Sequence, residues 1–122
     1  MRGTQVRILL ALLLAAGIVL ARVTRPGPVR TIHLSMKAYT FNAINPTITL
    51  RAGERVRFLI TNDEESPILH NFQVPGLGIA CGDALRPGEH REILVTAATP
   101  GTFAYACCTH RGMGGKLVVL LR

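Results

Sequence analysis

Residues 107–113 run Cys107, Cys108, Thr109, His110, Arg111, Gly112 and Met113, so a thiol, an imidazole and a thioether fall within one short segment. A thiolate, two neutral imidazoles and a weak thioether are the donors of a trigonal copper site with a long axial methionine. The second imidazole must come from elsewhere, and His70, which opens His70-Asn71-Phe72 after the turn-like residues 63–67, is the natural source. The candidate metal ligands are therefore His70, Cys107, His110 and Met113, and the cofactor they suit is one copper ion per chain. A structural zinc site would need four closed ligands, and the chain has no CxxC pair to supply them. No nucleophile stands paired with a base, and four donors fill a metal's coordination shell, so catalysis on a substrate is not expected.

These residues need a rigid frame, and the chain reads as strands. Runs at 31–40, 47–51, 55–62, 71–74, 91–96, 102–106 and 116–121 are separated by turn residues. Ile32, Leu34, Met36 and Ala38 alternate with His33, Ser35 and Lys37, and Val56, Phe58 and Ile60 alternate with Arg57, Leu59 and Thr61. Ala52-Gly53, Pro75-Gly76, Pro87-Gly88 and Pro100-Gly101 mark reversals. No helical period stands out. The expectation is all-β, a Greek-key sandwich or barrel of about seven to eight strands over residues 31–122. His33 and His90 read as solvated, and Phe103 and Tyr105 as packing residues.

Ahead of that domain, residues 8–21 are 14 uncharged positions preceded by Arg2 and Arg7, the order of an export signal. At about 1.5 Å per residue they reach ~21 Å, short of a ~30 Å bilayer core. Residues 1–21 are read as a signal peptide or an N-terminal membrane anchor, and residues 22–30, with two prolines and a glycine, as a linker. Either places the domain outside the cytoplasmic membrane, in the periplasm or on its outer face. Beyond residue 21 the chain keeps 12 of its 14 cations and all seven acids, a formal +5. The cations are scattered, aromatic content is 5% and tryptophan is absent, which argues against a nucleic-acid surface.

The combined pattern resembles the cupredoxins, the small blue-copper proteins, with a loop most like the amicyanin and plastocyanin type. The matching text is Cys107-x2-His110-x2-Met113 followed by Gly115-Lys116-Leu117-Val118-Val119, with Pro100-Gly101-Thr102-Phe103-x-Tyr105 leading in. Upstream it is Leu50-x2-Gly53-Glu54-x-Val56-x-Phe58-x3-Asn62 and His70-Asn71-Phe72. The resemblance implies His70, Cys107 and His110 as equatorial ligands, Met113 as the axial one, and Asn71 fixing the loop through hydrogen bonds. It also implies a monomeric electron carrier that serves a redox protein such as a cytochrome or an oxidase through the exposed edge of His110. Leu77, Ile79 and residues 112–114 are the candidate apolar collar, and Arg111 makes docking more electrostatic. Copper storage or delivery is the alternative, although no Met-rich or His-rich tract speaks for it. Once Cys107 is assigned to copper, Cys81 and Cys108 remain. In an oxidising compartment these two can pair, but Cys108 adjoins a ligand, so the pairing stays open.

Overall fold

The computed structural model describes residues 27–122. The expected signal or anchor at 1–21 and the first part of the expected linker lie outside the described residues. Seven strands follow: β1 Val29–Lys37, β2 Thr40–Phe41, β3 Ile48–Arg51, β4 Glu54–Asn62, β5 His90–Ala97, β6 Gly101–Ala106 and β7 Gly114–Leu120, with a 3-10 turn at Pro75–Leu77. They form a four-stranded sheet in the order β2-β1-β4-β5 and a three-stranded sheet in the order β3-β7-β6. Both sheets are mixed. β1 runs parallel to β4 with Ile32 opposite Phe58, and β5 runs antiparallel to β4 with Ile93 opposite Phe58. In the second sheet β3 is parallel and β6 antiparallel to β7.

Alternation along the strands builds the core between these layers. Leu34 and Met36 of β1, Val56, Phe58 and Ile60 of β4, Ile48 and Leu50 of β3, and Leu117 and Val119 of β7 are all buried. Phe41, Phe58, Phe72 and Tyr105 meet near one end, with Phe41 and Tyr105 ring centroids 5.3 Å apart and Phe58 and Phe72 centroids 5.6 Å apart. Edge-to-face and tilted contacts of this kind add to the area term. The all-β sandwich is as the sequence reading expected.

Three elements differ in detail. The run at 31–40 is two strands, because the chain reverses at Ala38-Tyr39 with φ of 52° and 60°. Two-residue hairpin loops favour these positive φ values but usually place Asn or Gly there, so the sequence carried no turn signal. The turn is held from outside instead: the Ala38 N–H donates to Glu64 Oε1 at 2.8 Å, and the Thr40 hydroxyl donates to the Lys37 carbonyl at 2.9 Å. β1 also begins at Val29, two residues inside the expected linker, because Val29 and Arg30 find partners in Arg55 and Val56. Finally, residues 71–74 do not form a strand. They cross between layers, and isolated bridges link His70 to Leu85, Gln73 to Ala106 and Val74 to Ile79. Three different partners in five residues leave no continuous ladder.

Candidate metal centre

The site lies where β4 and β6 end and β7 begins. Asn62, the last residue of β4, is buried, and its amide Nδ2 donates to the carbonyls of Ile68 at 2.9 Å and Leu85 at 2.8 Å. This ties down the loop before His70. The His70 N–H and carbonyl then bond Leu85 at 3.2 and 2.7 Å, so the backbone of this residue is fixed on both sides. Its ring is fully buried, at 0% exposure.

Cys107 follows β6 directly. The Cys107 N–H donates to the Met113 carbonyl at 2.9 Å and the Met113 N–H to the His110 carbonyl at 3.2 Å, folding the segment back on itself before β7. Gly114 permits this tight return: a Cβ there would lie 2.2 Å from the Tyr105 carbonyl oxygen. The result places Met113, buried at 1% exposure, beside Cys107.

The donor atoms of His70, Cys107 and His110 all lie within 4.8 Å of one another. The Cys107 Sγ is 3.9 Å from His70 Nδ1 and 3.5 Å from His110 Nδ1, and the two Nδ1 atoms are 3.2 Å apart. Glu64 decides which nitrogen of His70 faces inward. Its Oε1 accepts from His70 Nε2 at 2.9 Å, with Glu64 itself only 7% exposed, so the proton sits on Nε2 and Nδ1 presents a bare lone pair to the centre. The same hydrogen bond from His70 holds the Glu64 carboxyl below its ordinary range. Burial pushes the Cys107 thiol up, but hydrogen bonds from the Asn71 N–H, Thr109 and His110 outweigh it and lower the thiol to about 6. A ready thiolate and an inward imidazole lone pair converging on one point suit a soft metal ion. The donor set points to one copper.

The cysteine pairing that the sequence left open is made. Cys81 and Cys108 form a disulfide across a separation of 27 residues, and Cys107 is the free cysteine among the described residues. Cys107 turns inward and its neighbour outward, so only one sulfur is offered to the metal. The collar differs from expectation. Ile79 is buried in the core and Leu77 packs against it, whereas Tyr39, 52% exposed, stands edge-on to His110 with ring centroids 4.9 Å apart. Sequence reasoning missed Tyr39 because nothing marked its hairpin. It also missed Glu64, although an acidic run shortly before a candidate ligand histidine is a readable cue for a carboxylate partner. His33 and His90 are exposed and away from the cluster, as expected.

With this geometry in view, comparison with known proteins is specific. A family model described as the cupredoxin-like domain matches residues 9–119. The chain belongs to the cupredoxin-like family. Among solved structures, auracyanin B matches with a TM-score of 0.61 and 20% identity, over 79% of this chain and 92% of its own. A blue copper oxidase from Nitrosomonas europaea matches with a TM-score of 0.66 and 22% identity, over 78% of this chain and 40% of its own. A Cu-containing nitrite reductase from Thermus scotoductus SA-01 matches with a TM-score of 0.64 and 21% identity, over 78% of this chain and 28% of its own. This cupredoxin therefore spans less than half the length of either enzyme, and at these identities the likeness is one of fold.

Proposed function

We propose that this cupredoxin is an exported one-electron carrier, in which His70, Cys107, His110 and Met113 would hold one copper ion. The observation that carries the reading is the convergence of the three donors at the end of a packed sandwich, each already held by the protein. Copper in such a site supplies one-electron exchange between Cu(I) and Cu(II). The chain's part is to keep the donors where both oxidation states accept them. Glu64 fixes the His70 ring, Asn71 and Thr109 hold the Cys107 sulfur, and the disulfide pins the next residue, so little has to move when charge changes. His110, half-buried beside the exposed Tyr39, gives the electron its way out toward a redox protein such as a cytochrome or an oxidase. Exposed Arg111 next to it favours an acidic docking surface on that partner.

The competing role is copper storage or delivery, which requires the ion to leave. The test is to cycle the copper-loaded protein repeatedly between ascorbate and ferricyanide in the presence of a Cu(I) chelator. A carrier retains its copper and its colour through many cycles. Loss of copper to the chelator within the first reduced phase would establish delivery instead.

A further inference from the structure

The end of the sandwich remote from the metal centre is lined by arginines. Arg30, Arg51, Arg55 and Arg122 surround an open cleft in which Glu54 is the one acidic residue among those described. Glu54 is committed to Arg30, with Arg30 Nε 2.6 Å from Glu54 Oε1, and its other oxygen accepts the Arg51 backbone N–H at 2.9 Å. Among the described residues, Arg51, Arg55 and Arg122 make no ion pair. Three guanidinium groups thus share a surface without carboxylate partners.

The chain enters the domain at this cleft. Gly27 lines it, and the Gly27 carbonyl accepts from Arg55 Nη1 at 3.0 Å. Only residues 22–26 separate Gly27 from the 14 uncharged residues 8–21, and two of those five are Arg22 and Arg25. Six Cα steps reach at most about 20 Å. With residues 8–21 in lipid, the cleft stays within that reach of the headgroups, and from full extension an approach of about 10 Å brings it inside the ~8–10 Å screening length, where attraction to the headgroups is felt. The metal centre lies at the other end of β4, about 26 Å away at ~3.3 Å per residue.

We propose that this arginine-lined end is a docking surface for an anionic phospholipid membrane, occupied while residues 8–21 are held in the same bilayer. It sets the orientation of the domain: arginines toward the headgroups, and His110 toward water and a soluble partner. The proposal goes beyond electron transfer and stands whether the bound copper is shuttled or delivered. An arginine near an anionic leaflet gains about fivefold in local affinity, and the three unpaired ones act together.

The full chain, made by cell-free synthesis into lipid nanodiscs, tests this. One set contains phosphatidylcholine alone and the other adds phosphatidylglycerol. Initial rates of phenylglyoxal modification are read at each arginine by mass spectrometry, with the exposed Arg86 and Arg111 as internal references. Arg51 and Arg122 should react at least about fivefold more slowly in the phosphatidylglycerol discs, with Arg86 and Arg111 unchanged, and molar salt should restore the rates. Equal rates in the two lipids overturn the proposal, as does protection of Arg111, which would turn the metal end to the membrane. Slowing of Arg51 and Arg122 by inorganic phosphate in phosphatidylcholine discs, to the same degree, would make the cleft a small-anion site and also overturn it.

Discussion

Asn71 grips both Cys107 and the peptide that follows it. Its backbone N–H points at the Cys107 sulfur from 3.5 Å, and its side-chain Oδ1 accepts the Cys108 N–H at 2.7 Å. One residue thus ties the crossing segment after His70 to the loop after β6, and sets how far the sulfur stands from the imidazole beside it. Asn71→Ala keeps the first bond and loses the second, leaving a partly buried N–H without its partner. Urea unfolding of the apoprotein should show a loss of about 1–3 kcal/mol. The visible band of the copper-loaded variant should shift, since the loop is freer to move. A variant as stable as the parent with an unchanged band would show that the bond constrains nothing.

Glu64 is a charged partner on a ligand imidazole, and its Oε1 also receives the Ala38 N–H of the hairpin turn. A carboxylate makes the ring a stronger donor and favours Cu(II) over Cu(I). Glu64→Gln keeps an acceptor oxygen but removes the charge, so the reduction potential should rise. Each ~1 kcal/mol of lost preference is roughly 40 mV for one electron. Voltammetry checks it, and a fall or no change would mean that the charge is not felt through His70.

The Cys81–Cys108 disulfide closes a long loop next to the metal segment. On the chain-entropy account, replacing both cysteines by serine costs roughly 3–4 kcal/mol. For a domain of this size, that lowers Tm by about 15 °C or more, measurable by calorimetry on the apoprotein. If the double variant melts within a few degrees of the parent, the bridge constrains the unfolded chain less than its separation implies. Replacing Cys81 alone frees a thiol beside Cys107, and the visible spectrum should then depart from that of the double variant.

The strands and the four proposed ligands were legible because each signal is local. Alternation in residues 55–62 marks β4, and thiol, imidazole and thioether stand together in residues 107–113. What sequence did not show depends on long-range pairing. Ala38-Tyr39 turns without Gly or Asn because Glu64, 26 residues on, supplies an acceptor for Ala38. Residues 71–74 look like a strand, yet Gln73 bonds Ala106 and Val74 bonds Ile79, while His70 just before them bonds the loop at Leu85. The partnership of Cys81 and Cys108 could be posed from the cysteine count, but only the position of Cys81 over the metal loop answers it.

The account rests on Cys107 as the thiolate that holds copper. Cu(II) is added to the reduced apoprotein and to its Cys107→Ala variant, and visible spectra are recorded before and after a mild reductant. The parent should develop an intense blue thiolate-to-copper band that bleaches on reduction and returns on reoxidation, and the variant should lack it. A parent that stays colourless, or a variant that keeps the band, would contradict the account.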